Sequence, residues 1–193
     1  MNAKFAKYLS NKSIFWLSAI LGVALVVAAF GYAHFTKLLQ VRINRLTAEV
    51  AIAEQIQLEA IPQLRLDGFA TIIDLRPDGE AVDEPTAAAV ESAVHANHMN
   101  FSYVPVPHGD IPTNAVTALD KAISENPKPI LLYCRSGRRA ARTWGLVEAS
   151  RPGGLGESEI LMAVKASGQS ADDLKAAIAL RIANRTKPVG ETK

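Results

Sequence analysis

Ile130-Leu131-Leu132-Tyr133-Cys134-Arg135-Ser136-Gly137-Arg138-Arg139-Ala140 runs an apolar strand directly into an arginine-rich helix, and the only cysteine of the chain stands at the junction. A helix N-terminus leaves several backbone N–H groups without partners and carries partial positive charge. Such a position binds anions and favours thiolate over thiol, so Cys134 is expected to be a nucleophile rather than an inert core residue. Gly137 lets the backbone curl tightly, and Arg135, Arg138 and Arg139 add formal positive charge.

Upstream of this loop, strand-like and helix-like segments alternate. Val50 and Ile52 mark a brief strand, and Gln55 to Leu66 reads as a helix with Pro62 near its start. The β-branched run Phe69 to Leu75 reads as a buried strand closed by the turn Arg76-Pro77-Asp78-Gly79. Pro85 to Ala96 predicts a helix, Phe101 to Val106 a strand, and Asn114 to Ser124 a helix capped by Thr113. Pro129 to Tyr133 is the next strand, and Arg138 to Ala149 the helix after the cysteine. Beyond the Pro152-Gly153-Gly154 break come helices near Glu157 to Ala166 and Ala171 to Ala183. Alternation of this kind predicts an α/β fold whose parallel sheet is flanked by helices, with ligands bound beyond the carboxyl ends of the strands, where Cys134 falls.

The 193 residues suffice for one domain and an appendage, and 49% hydrophobic content supplies a core. A net charge of +2 without a basic stripe argues against nucleic acid as a partner. One cysteine excludes an internal disulfide and a cysteine-rich metal cluster.

The N-terminus is different in kind. Ser13 to Thr36 contains 24 residues with no Lys, Arg, Asp or Glu, enough for a single transmembrane helix, with Trp16 and Tyr32 placed as interfacial anchors. A signal peptide is the competing reading, with Gly31-Tyr32-Ala33 as a weak cleavage site, but the apolar stretch exceeds that class. Lys4, Lys7 and Lys12 precede the span, and Lys37, Arg42 and Arg45 follow it, so the positive-inside count is nearly tied. The absence of acids before the span tips the domain towards the periplasmic side, with the cytoplasmic side as the alternative. The expected layout is a tail over 1–12, the transmembrane helix over 13–36, a linker over 37–46, a catalytic domain over 47–185 and a tail over 186–193.

Two reaction classes use a cysteine in a cradle of amides. In phosphoester hydrolysis the thiolate attacks phosphorus while amides and an arginine hold the equatorial oxygens; in sulfur transfer the same amides stabilise a cysteine persulfide. Loop size separates them, because phosphate needs a wider cradle than one sulfur atom. The tyrosine-phosphatase signature is His-Cys, five residues, then Arg; here Tyr133 replaces the histidine and position 140 is Ala. The rhodanese-type signature is Cys, four residues, then Arg, and Cys134 to Arg139 fits it. The wider chain resembles the beta-lactamase hydrolase-like family, a tyrosine-phosphatase fold carrying a rhodanese-type Cys-Arg-Ser-Gly-x-Arg loop. The resemblance rests on Gly68 to Glu80, Val104-Pro105-Val106-Pro107, the Cys134 loop, and Gly153-Gly154-Leu155 leading into Glu159-Ile160-Leu161. The membrane anchor lies outside the family pattern.

In that frame Cys134 is the nucleophile, Arg139 orients the bound anion, and Arg135, Ser136, Gly137, Arg138 and Ala140 complete the anion- or substrate-binding loop. Ser136 is a candidate donor to the cysteine sulfur. Asp110, in His108-Gly109-Asp110-Ile111-Pro112, is either a phosphatase general acid or a turn or capping aspartate. Asp74 and Arg76 are expected to pair structurally, Asp74 with an arginine of the loop. His95, His98 and His108 read as surface residues, because no further ligands are spaced to complete a metal site; no metal or cofactor is expected. The one-residue-short spacing predicts a membrane-anchored sulfurtransferase passing sulfane sulfur through a Cys134 persulfide. A cysteine-dependent phosphatase is the alternative, and a tethered anion-binding module without turnover the third reading. The partner is accordingly a small anionic sulfur donor or a phosphoester.

Overall fold

The computed structural model describes residues 11–38, 41–82 and 84–185, so the expected C-terminal tail and all but the end of the N-terminal one lie outside the described residues. The chain divides into two compact units, Met1–Gln40 and Val41–Lys193. The first contains α1 (Asn11–Leu38), a helix of 28 residues. Its stretch Ile14–Gly31 is apolar, long enough to cross a bilayer, and unburied.

The second unit is built on one five-stranded sheet with strand order β1-β2-β5-β3-β4. The strands are β1 (Ile43–Arg45), β2 (Val50–Ala53), β3 (Thr71–Asp74), β4 (Asn100–Tyr103) and β5 (Ile130–Tyr133). The helices are α2 (Ile61–Leu66), α3 (Ala87–Ala96), α4 (Thr113–Glu125), α5 (Arg138–Ser150), α6 (Glu157–Ala166) and α7 (Lys175–Asn184). Short 3-10 turns at Leu58–Ala60 and Asp172–Leu174 lead into α2 and α7.

β5 is central because all four of its residues are buried, which suits a strand covered on both faces. It pairs in parallel with β2 on one side and β3 on the other. Its side chains alternate between two cores. Ile130, Leu132 and Cys134 join the core beneath α4, α5 and α6, whereas Leu131 and Tyr133 join Ile56, Ile61, Leu64, Val90 and Val94 from α2, α3 and the preceding turn. α5 closes the larger core, with Trp144 fully buried. Gly145 lets α6 approach: a Cβ there would stand 3.1 Å from Ile160 Cγ2.

The sheet departs from expectation at one edge. Ile43–Arg45, inside the stretch read as a linker, forms β1 and pairs antiparallel with β2. Three residues provide too little alternation to show as a strand in sequence; the pairing comes from the exposed edge of β2. The sheet is therefore mixed. Most other elements start and stop within a few residues of their expected bounds. The helix expected from Gln55 begins only at Ile61 after a 3-10 turn, and Thr113 is the first residue of α4 rather than its cap, a position that Pro112 takes. Thr86 caps α3 by accepting from the Ala89 amide.

Candidate active site

The loop between β5 and α5 is shaped by where its carbonyls go. Arg135 O accepts from the Gln55 amide, Ser136 O from Gln169 Nε2 at 3.1 Å, and Gly137 O from the Ala141 amide. Three successive carbonyls are thus drawn back onto the scaffold. The N–H groups of residues 135–140 donate to no acceptor among the described residues, as expected of a loop that opens onto a helix start. Gly137 makes this possible at φ +79°, with Ala53 O and Ile52 Cδ1 each 3.4 Å from where a Cβ would be. A Cβ there would make ordinary contacts, so it is the left-handed backbone that strains any side chain at this position.

Above the loop lies a cavity of about 400 Å³. Cys134, Arg135, Ser136, Arg138, Arg139 and Arg142 form one side, and Pro107, His108, Gly109 and Ile111 the other. Cys134 is only 1% exposed, yet it is both a core residue and part of the cavity lining. A thiol so placed is shielded by aliphatic neighbours and borders the cavity on its remaining side.

Arg139 is held by a residue that the sequence did not single out. Its Nη1 and Nη2 donate to the two carboxylate oxygens of Glu80 at 2.7 and 2.8 Å, and Nη1 also donates to Val106 O. The end-on fork of the guanidinium is therefore committed. The Nε–H and the second Nη2–H, which form the side-on fork, donate to no acceptor among the described residues. The Arg139 hydrogen bond holds the Glu80 carboxyl below its ordinary pKa against a smaller opposing effect of burial. On Arg139, desolvation opposes the charge but is outweighed by Glu80 and by the neighbouring Cys134. Arg76 extends the network: Nε meets Glu80 at 3.2 Å, Nη1 donates to Gln55 Oε1 at 2.6 Å, and Nη2 meets Glu84 at 2.5 Å. Two guanidinium groups and two carboxylates thus balance beneath the site.

Asp74 does not pair with a loop arginine. Its Oδ1 accepts from the Arg76 backbone amide at 2.7 Å, a turn-forming bond that competes successfully with a longer reach across the sheet. Tyr133, in the position of the signature histidine, lies opposite Asp74 in register, and its hydroxyl makes no well-formed hydrogen bond. Desolvation pushes Asp74 up to about 6, with Tyr133 and the Arg76 amide pulling the other way. The folded state therefore keeps a proton that the unfolded chain releases near 3.8. Stability falls as pH rises through that window, and the full penalty applies above it. Asp74→Asn, which keeps an acceptor for Arg76, is expected to stabilise the protein on the order of 2 kcal/mol at about pH 8 and by almost nothing at about pH 4. Thermal unfolding at the two pH values checks this.

The remaining sequence candidates sort by position. Arg135, Ser136 and Arg138 are exposed around the cavity mouth, and Ala140 is buried at the start of α5. Asp110 is exposed and does not line the cavity, although its loop neighbours His108, Gly109 and Ile111 do. His95, His98 and His108 are all exposed, and His108 in addition lines the cavity. Among the described residues no group of three or more His, Cys, Asp or Glu side chains is arranged to hold a metal ion.

Comparison with known proteins agrees with this geometry. The family of the phosphatase-like domain of beta-lactamase hydrolase-like proteins matches residues 42–151, a stretch running from before β1 to the end of α5. The chain belongs to that family. It is 31% identical over 105 residues to the beta-lactamase hydrolase-like protein of Agrobacterium fabrum, covering 54% of this chain and 24% of that one. The protein of the same description from Xylella fastidiosa strain 9a5c is 30% identical over 107 residues, 55% of this chain and 25% of its own. The chain thus spans about a quarter of the length of these curated relatives. Among solved structures, a candidate phosphatase of Neisseria meningitidis is 26% identical with a TM-score of 0.64, covering 72% of this chain and 97% of that chain. The catalytic core of the PP-IP phosphatase SIW14 of S. cerevisiae shares the fold at 15% identity, with a TM-score of 0.54 over 75% of this chain and 85% of its own. The region matched by the phosphatase-like family holds the α/β sheet, the cysteine loop and α2 to α5; α1 precedes it, and α6 and α7 follow it.

Proposed function

We propose that the globular unit is a cysteine-dependent phosphohydrolase acting on a small phosphoester. The side-on fork of Arg139 carries this reading. Displacement at phosphorus spreads charge over equatorial oxygens, which a planar two-donor edge beside a ring of amides matches. A persulfide has a single terminal sulfur and uses the amides alone. In the proposed reaction the Cys134 thiolate forms a bond to phosphorus while the bond from phosphorus to the leaving oxygen breaks. The leaving oxygen takes a proton from the wall loop, and water then hydrolyses the thiophosphate, releasing inorganic phosphate and restoring the thiolate.

His108 faces the cavity and Asp110 does not. His108→Asn is therefore expected to lower kcat about 100-fold on an alkyl phosphate, with Asp110→Asn changing it much less. Phosphate release by the purified protein, assayed with both variants, tests the reading. No turnover by the parent protein on aryl or alkyl phosphates would count against it.

Sulfur transfer keeps one observation in its favour, the spacing of Cys134 and Arg139. Intact mass after incubation with thiosulfate separates the two: one added sulfur on Cys134 supports transfer, and an unchanged mass with phosphate turnover supports hydrolysis. The proposal places the unit at a membrane through α1, whose apolar stretch Ile14–Gly31 is long enough to cross one. Retention in washed membranes, as against release of a shortened chain, distinguishes an anchor from a cleaved signal. Protease accessibility in intact cells reads the side.

A further inference from the structure

The cavity carries more positive charge than one phosphoryl group at Cys134 requires. Of its four lining arginines, two are already neutralised. Arg139 is locked to Glu80, and Arg142 donates to both oxygens of Asp173 at 2.5 and 2.6 Å. Arg135 and Arg138 are exposed at the mouth, and neither donates a hydrogen bond to any acceptor among the described residues. Asp173 feels the charge of Arg138, but its oxygens are spent on Arg142.

We propose that Arg135 and Arg138 form a second anion subsite, so that the substrate is a small molecule bearing two phosphate groups. The inference rests on the phosphohydrolase reading and narrows it. One phosphate sits over Cys134 against the amides and the Arg139 fork; the other is taken by the two unpaired guanidinium groups at the rim. Two features favour this over a pair of merely solvated arginines. Both side chains line the same cavity as the nucleophile, and that cavity, at about 400 Å³, exceeds what a lone phosphate fills. On the opposite wall Pro107 and Ile111, on either side of His108 and Gly109, offer apolar surface to the carbon frame between the phosphates. Arg138 opens α5 and Arg135 follows the nucleophile directly, so both are fixed to the rigid loop. A guanidinium held there meets a phosphate with two donors in one plane.

The test compares a hexose 1,6-bisphosphate with the matching 6-monophosphate, using phenyl phosphate as a check on chemistry. The parent protein is expected to favour the bisphosphate in kcat/KM by about 10-fold or more, the scale of one or two charge-assisted contacts. In the Arg135→Gln/Arg138→Gln protein that ratio should fall to near one, whereas Arg151→Gln, which removes an arginine paired with Asp120 and Glu148 outside the cavity, should preserve it. Equal kcat/KM for both sugars in the parent, with phenyl phosphate turned over, overturns the subsite and leaves the hydrolase reading standing. Calorimetric binding of both sugars to Cys134→Ser protein gives a readout that does not need turnover. Tighter binding of the bisphosphate, lost on adding the two Gln substitutions, supports the subsite even if phenyl phosphate is inert. Indistinguishable binding overturns it.

Discussion

Cys134→Ser is expected to abolish phosphoester turnover, a loss of about 10,000-fold or more, while leaving the fold and anion binding in place. The loss is chemical. A serine hydroxyl is a far weaker acid than a thiol, and the nearby carboxylates are already engaged, Glu80 by Arg139 and Asp74 by the Arg76 amide. The fold survives because the exchange is nearly isosteric and the hydroxyl faces free N–H donors rather than aliphatic carbon alone. Because Cys134 is the only cysteine, a thiol-directed reagent should inactivate the parent in step with its labelling and leave the variant unlabelled. Bound phosphate should slow that labelling. If the serine protein retained turnover, the nucleophile would have to lie elsewhere in the cavity, and the hydrolytic mechanism would fail. Retained anion binding with no turnover in either protein would instead leave a tethered binding module.

The elements that the sequence made legible are those whose signal is local. The run Ile130 to Tyr133 could only be a buried strand, and Gly137 followed by Arg138 could only open a helix; both stand where expected. α6 matches its expected bounds, because Pro152-Gly153-Gly154 and Gly168 punctuate it on either side. What local reading could not reach depends on the sheet bringing distant residues together. Glu80 is 59 positions from Arg139, and nothing near either residue announces the other. The available clue was arithmetic: Arg76, Glu80 and Glu84 recur every four residues just after a buried strand, an arrangement that asks for a further cation. His108 was legible as an exposed loop residue, but its place in the lining of the same cavity as Cys134 follows from β4 running parallel to β3 and ending at the same side of the sheet as β5. β1 was lost because a three-residue edge strand has no period to detect. The preference for sulfur transfer rested on a single spacing. The arginine's actual anchorage, with its side-on fork left open, is a tertiary fact that the spacing does not contain.

The ion network beneath the site makes a second large effect testable, with its own internal control. Glu80 pairs with both Arg139 and Arg76, whereas Glu84 pairs with Arg76 and accepts from the Glu80 backbone amide at 2.8 Å without reaching Arg139. Both carboxylates are mostly buried, with 16% and 5% of their side chains exposed, so removing either leaves a guanidinium short of a partner. Breaking a fully buried pair costs roughly 3–5 kcal/mol; with other acceptors remaining on each arginine, about 2 kcal/mol is expected for each of Glu80→Ala and Glu84→Ala. Their effects on catalysis should nevertheless diverge. In Glu80→Ala the end-on fork of Arg139 keeps only Val106 O, so the guanidinium can turn its freed edge towards the anion or swing out of plane. Loss of a pre-aimed oxyanion donor is worth about 100-fold in kcat. KM should change less, because the amides still bind the ground-state phosphate. Glu84→Ala frees the Glu80 amide but leaves both side-chain bonds from Arg139 to Glu80, and should keep kcat within about threefold, since a misplaced group rather than lost stability is what slows the chemistry. Glu80→Gln, which retains an acceptor but loses the charge, should fall between the two. Equal kcat losses in Glu80→Ala and Glu84→Ala, matched to equal losses of stability, would mean that the network only holds the fold together and that Arg139 finds its position without it.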